Sequence, residues 1–319
     1  MQHLPILLTP AYRYGASTPW GGSALHDVFH KDIPDPRTGE SLEMSVIPGL
    51  ESRDAAGEPL SLLLERDWEG MAGSEVRAPF PLLLKLIDAR DRLSVQVHPD
   101  DAYARLHENK LGKTEAWAIL YAEPGAQLVY GIRAGVTREA LAAAARSGAE
   151  IEKLLRFVSV KAGDVFYIPS GTVHAIGTGI VLYEIQQSSD VTYRFYDWNR
   201  RDQAGNLRAL HIDQALDVTR LDFEPEAVIP RLMEDAACRR ELLMDTEYFT
   251  LQRLTDCREV PFEGARTHFS VITALKDGYL RVNGEQLPLL AGRTVFVPAD
   301  CVPFTLACGQ CLISAPAHK

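Results

Sequence analysis

Three short stretches carry side chains that could bind a metal ion. In Arg92–Asp101, RLSVQVHPDD, Gln96 and His98 lie two residues apart in a strand-like run, so they share one face. Ser94 has the same parity and faces the same way. In Gly112–Leu120, GKTEAWAIL, Lys113 and Glu115 share a face at the start of another apolar run. In GDVFYIPSGTVHAIG, His174 follows the Pro169-Ser170-Gly171 turn. A histidine just past so rigid a turn has its backbone fixed, which suits the narrow geometry of a metal ligand. One histidine alone would read as a hydrogen-bonded residue at a strand edge. His98, Glu115 and His174 brought together from three strands inside a barrel would make an open metal site. Three protein ligands leave positions for water or a substrate oxygen. Gln96 would be a weaker fourth ligand or a substrate contact. These ligand types allow zinc, iron, manganese or cobalt.

The elements that must position these groups read as strands. Phe80–Asp88, FPLLLKLID, is a continuous apolar run, and the spacing predicts an antiparallel hairpin with LSVQVH. EAWAILYAEPGAQLVYGI gives two strands around Pro124-Gly125. A short helix is expected from Ser61 with that serine as cap, and another after Asp100 or Asp101. Residues 136–158 form the clearest helical stretch, with Thr137 as N-cap and a break at Ser147-Gly148. HIDQALDVTR is a further short helix, and His211 at its start reads as a capping or surface residue. Leu221–Met233 is acidic, holds two prolines and connects two parts. Beyond it, alternating runs predict an all-β unit. There Gly292 and Pro298 repeat the spacing of Gly163 and Pro169, but Pro303 falls where His174 would be.

Composition bounds the function. The 319 residues suffice for two domains, and 46% hydrophobic residues suit a globular core. A net charge of −10 argues against a nucleic-acid partner, and any phosphate must be held by a local cluster of cations. No apolar run is long enough to span a membrane, and the N-terminus lacks a signal-peptide pattern, so the expected location is the cytoplasm. Five scattered cysteines suit reduced thiols. Cys308 and Cys311 form a C-x-x-C, but a structural zinc site needs a further pair near by. Cys238, Cys257 and Cys301 do not supply one at matching spacing, so no chemistry is expected there.

The stretch Gly163–His174 is similar to the second signature of the cupin barrels, and Gln96-Val97-His98 with Glu115 resembles the first. QVHPDD, KTEAWAIL, IPSGTVHAIG and SSDVTYRFYDWNR occur in the order seen in short, bacterial-type mannose-6-phosphate isomerases; WGGSAL and GESLEMS near the N-terminus also resemble that family. The resemblance covers roughly residues 1–215 with specific motifs. It implies a mainly β fold with two cupin-like (jelly-roll) barrels and a small helical insertion at 136–158. Residues 1–220 would form the metal-binding catalytic domain, and 221–319 a second barrel without metal ligands. The implied activity is interconversion of mannose 6-phosphate and fructose 6-phosphate, with one zinc per chain on His98, Glu115 and His174.

Lys113 and Arg194 fall on positions that the family uses for substrate and catalysis. Ser94, Gln96 and Asp190 are the other expected substrate contacts, with Ser94 near the phosphate. Asp190, four residues before Arg194, would orient it through a charge-assisted hydrogen bond. The expected partner is a sugar phosphate, with no nucleic acid or membrane, and the chain is expected to be a monomer or weak homo-oligomer. An iron-dependent cupin dioxygenase and a non-catalytic sugar-binding cupin are the competing readings. The paired cations at Lys113 and Arg194 favour an anionic sugar over the first, and the intact ligand set argues against the second.

Overall fold

The structure, a computed structural model, describes residues 2–317 except 203 and 227. Among the described residues the strands form three antiparallel sheets. A six-stranded sheet runs in the order Ala11–Tyr14, Thr38–Met44, Leu82–Ala89, Ile180–Gln187, Glu115–Ala122, Val165–Ile168. A five-stranded sheet runs Tyr193–Tyr196, Val95–Val97, His174–Ile176, Gln127–Ile132, Leu155–Ser159. The chain is mainly β, as its composition of elements predicts.

The central strands Leu82–Ala89 and Ile180–Gln187 of the six-stranded sheet are buried on both faces, which explains their unbroken apolar runs. Leu82, Leu84 and Leu86, with Val181, Tyr183 and Ile185, pack outward against Phe249, Phe269 and Phe296. Ile87, Ala89, Leu182 and Trp117 turn inward and meet Leu128, Tyr130 and Ile176 of the five-stranded sheet. The polar groups Lys85 and Glu184 share that inward parity. On the outer face of the five-stranded sheet, Val95, Val97 and Ala175 pack under the helices Arg138–Arg146 and Ile212–Val218.

The third sheet has nine strands, built mostly after residue 230, and encloses its own core around Leu254, Ile272, Phe304 and Leu306. Its edge strand is Ile6–Leu8, which pairs with Thr294–Val297. A buried link joins the same regions: Lys31 Nζ lies 2.7 Å from Glu43 and donates to the Gly292 carbonyl, while Thr294 donates to Glu43. The N-terminal segment thus crosses the expected division at 220. The turn repeat is present locally, with Gly163 at φ 94° before Val165–Ile168 and Gly292 at φ 79° before Thr294–Val297. Glycine tolerates that left-handed backbone without a Cβ clash.

Three sequence expectations are corrected. Leu82–Ala89 and Val95–Val97 are not a hairpin. Both edges of Leu82–Ala89 are taken by Thr38–Met44 and Ile180–Gln187, so the chain crosses layers and Val95–Val97 joins the opposite sheet. Residues 136–158 are helical only to Leu154, as an α-helix and then a 3-10 turn. Leu155–Ser159 is a strand, because Gln127–Ile132 offers it a free edge. The helix expected from Ser61 starts at Leu60 with Pro59 at the cap, its φ of −60° already suited to a helix start. Asp100 and Thr137 do cap their helices, accepting from the amides of Tyr103 and Ala140.

Candidate metal centre

The site lies between the five- and six-stranded sheets. His174 and Arg194 both pair with Gln96, so the three form one row across the five-stranded sheet. His98 follows the end of the same central strand. From the facing sheet comes Glu115, at the start of its strand. His98, Glu115 and His174 are 1%, 0% and 0% exposed, and one ligand atom from each lies within 4.8 Å of the others.

The two imidazoles are oriented alike. His98 Nδ1 is 2.8 Å from the Val191 carbonyl, and His174 Nδ1 is 2.9 Å from the Thr172 carbonyl. A carbonyl oxygen only accepts, so in each ring Nδ1 carries the hydrogen and Nε2 keeps its lone pair. Those nitrogens lie 3.7 Å and 3.4 Å from the two oxygens of Glu115. Burial, then the nearby positive charge of Lys113, holds His98 well below the usual histidine range; burial also takes His174 down to about 4. Both rings are therefore neutral near pH 7.

The donor set fits a divalent cation. Neither oxygen of Glu115 accepts a well-formed hydrogen bond, although both are fully buried, and such orphaned atoms are costly unless something cationic satisfies them. Lys113 Nζ, 2.5 Å from Oε2 and 3.1 Å from His98 Nε2, already places a positive charge there, off the hydrogen-bond direction of the carboxylate. Two imidazoles and one carboxylate are common ligands of catalytic zinc.

A chain of alternating charges runs from this point to the mouth. Lys113 is 4.0 Å from Glu184, which is 3.0 Å from Lys85. Lys85 is 3.7 Å from Glu40, and Glu40 is 3.4 Å from Arg13. Trp117 Nε1 donates to the second oxygen of Glu184. Burial alone would neutralise these groups. For Glu184 it is outweighed by Lys113 and Lys85, which hold the carboxyl down; for Lys85 it is outweighed by Glu184 and Glu40, which raise its pKa. Burial and the charge of Glu184 push Glu115 up, the opposite of what a bound cation would do.

The cavity beside the triad is lined by Ser94, Gln96, Lys113, Asp190 and Arg194, the expected substrate and catalytic residues. Ser94 Oγ donates to Gln96 Oε1 at 3.4 Å, and Gln96 Nε2 stands 3.4 Å from His174 Nε2. One expectation fails: Asp190 does not orient Arg194. Asp190 accepts from Lys110 at 2.6 Å instead. Arg194 is steadied through its backbone, which exchanges hydrogen bonds with His211. Its Nε is buried without a partner. Burial and the neighbouring Arg208 lower Arg194 to about 10, so it stays protonated. Sequence reasoning missed Arg13, Glu40, Lys85, Glu184 and Arg208, all of which line the cavity.

Comparison with known proteins bears on this arrangement. Residues 10–117 match the family model for the phosphomannose isomerase type I catalytic domain. A mannose-6-phosphate isomerase of Streptococcus mutans is 39% identical over 283 residues, 88% of each chain. One of Bacillus subtilis is 36% identical over 318 residues, covering 97% of this chain and 98% of its own. The crystal structure of the mannose 6-phosphate isomerase from Bacillus subtilis superposes with a TM-score of 0.89 at 32% identity, covering 98% of this chain and 99% of that one.

Proposed function

The chain belongs to the mannose-6-phosphate isomerase family, and we propose that the cavity beside His98, Glu115 and His174 is where it carries out the family's reaction. It is a metal-dependent aldose–ketose isomerase that interconverts mannose 6-phosphate and fructose 6-phosphate. In this reading one zinc ion is held by His98, Glu115 and His174. Bound there, it supplies a Lewis acid that stabilises negative charge on the substrate's oxygens.

The chain's own groups do the rest. The reaction moves a proton between neighbouring carbons through an enediolate. The Lys113 ammonium, beside the triad, and the Arg194 guanidinium, one strand away, stabilise that developing oxyanion. Gln96 and Ser94 hydrogen-bond the sugar from the central strand, and Asp190 accepts from it at the rim. Arg13 and Arg208 join Arg194 as the local cations that an acidic chain needs for a phosphate. The observation that carries the reading is the fully buried Glu115 carboxylate, facing the Nε2 atoms of two imidazoles whose Nδ1 atoms are held by backbone carbonyls, at one wall of a cation-lined cavity.

Residues 1–220 would be the catalytic domain and 221–319 a second cupin-like unit. The chain would act as a monomer or weak homo-oligomer in the cytoplasm, on a sugar phosphate and without nucleic-acid or membrane partners. No helix among the described residues is long and apolar enough to cross a membrane.

A coupled assay comparing mannose 6-phosphate with mannose tests the substrate assignment. Each lost charge-assisted hydrogen bond is worth about 1.5–3 kcal/mol, so mannose should be slower by roughly one or more orders of magnitude in kcat/KM. Equal turnover of the two sugars overturns the phosphate assignment.

A further inference from the structure

All five cysteines pack at the second core, and three of them meet there although Cys257 lies far from the other two in the chain. The strands Phe249–Phe262 and Phe304–Pro316 pair antiparallel, and their register sets Cys257 directly opposite Cys308. Cys308 and Cys311 are three residues apart, an odd spacing that in a regular strand sends side chains to opposite faces. Here both enter the same core. The cause is a change of partner at Gly309-Gln310. Up to Cys308 the strand's second edge pairs with Gly278–Val282, and from Cys311 it pairs with Ser270–Ala274. The Gln310 carbonyl accepts from both Leu275 and Lys276 at this junction. Such an irregularity re-aims a side chain, as a bulge does.

The thiol sulfurs of Cys257, Cys308 and Cys311 consequently lie within 4.8 Å of one another, and none is in a disulfide. Four sulfurs at about 2.3 Å from one tetrahedral ion would be roughly 3.8 Å apart, so the cluster needs little adjustment. Cys238, half-buried, packs against the same core and lines a surface depression with Met233 and Asp235, which gives a route from solvent.

We infer that Cys257, Cys308 and Cys311 form a soft-metal site for a thiophilic divalent ion of the zinc class, with Cys238 as the fourth ligand on the solvent side. Binding would release the thiol protons and tie two strands of the nine-stranded sheet to the bend that precedes Arg239–Asp245. The expected C-x-x-C partner was missing only as spacing along the chain; the β ladder supplies it across the sheet. The site is separate from the catalytic triad, adds a second ion to the one expected per chain, and does not rest on the catalytic reading.

The test loads wild type, His174→Ala, Cys308→Ser and the double variant with zinc, removes loose metal with a weak chelator, and counts metal per chain. The expected counts are two, one, one and none. Cobalt(II) in His174→Ala should show an intense thiolate-to-cobalt charge-transfer band. That reading needs no cysteine variant to fold. Failure to retain zinc in His174→Ala, with no charge-transfer band from cobalt, overturns the site. So does a Cys257–Cys308 disulfide found by mass spectrometry in protein purified without added oxidant. Failure of the catalytic triad alone would remove metal from wild type but leave the His174→Ala result unchanged.

Discussion

From Gly163 the chain turns at φ 94°, runs as Val165–Ile168 and stops at Pro169; from Gly292 it turns at φ 79°, runs as Thr294–Val297 and stops at Pro298. Past the first proline it lays the His174 imidazole into a cavity lined by charged groups. Past the second it reaches Pro303, which is exposed, and then Phe304, which enters a core of apolar side chains and thiols. Glycine and proline set the path in both places, and the residues just beyond decide what that path presents. The first interior invests in charges that must all be paired. The second relies on apolar burial.

The largest expected effect removes the first interior's metal ligand. His174→Ala should lower turnover of mannose 6-phosphate by at least about a thousandfold, because a bound cation contributes several kcal/mol of charge stabilisation. Its catalytic site should lose metal while the melting temperature changes little, since the strands around it bury their apolar faces without an ion. An unfolded His174→Ala protein would show that the ion also holds this fold together.

Next comes Lys85→Met. It leaves Glu184 and Glu40 buried without their shared cation, at a cost of about 3–5 kcal/mol. Urea unfolding should show a lower midpoint at unchanged slope. A loss below about 1 kcal/mol would mean that the remaining members of the charge chain pair without it.

Arg194→Lys keeps the charge but loses the planar fork. Turnover should fall about tenfold to a hundredfold with metal content intact. Normal kcat and KM would leave Arg194 a bystander held by His211. The smallest effect is expected in the second interior. Ile272→Val, at a fully buried position, should cost about 0.5–1.5 kcal/mol and leave turnover unchanged. A changed rate there would show that the two interiors communicate.

The metal triad was legible because its residue types are conspicuous beside rigid turns. Lys85 and Glu184 also had a visible signature, single charges inside the apolar runs LLLKLI and IVLYEI, but such charges announce only that a partner exists. The partner is set by sheet register, which places Glu184 opposite Lys85. Arg13, Glu40 and Arg208 reach the cavity from segments that only tertiary pairing unites. The Asp190–Arg194 contact failed because a four-residue spacing makes neighbours on a helix, whereas Arg194 is on a strand and Asp190 precedes it in a loop. The thiol cluster was hidden for a related reason. An odd spacing within one strand and a cross-strand partner become a cluster only where the ladder changes partner.

The strand Ile6–Leu8 bears on how the molecule is made. It leaves the ribosome long before its partner Thr294–Val297 is made. At about 5–20 residues per second, synthesis leaves it unpaired for tens of seconds. During that time Ile6, Leu7 and Leu8 expose an apolar strand edge of the kind that templates aggregation. The nascent chain thus carries this open edge until Thr294–Val297 arrives to close it.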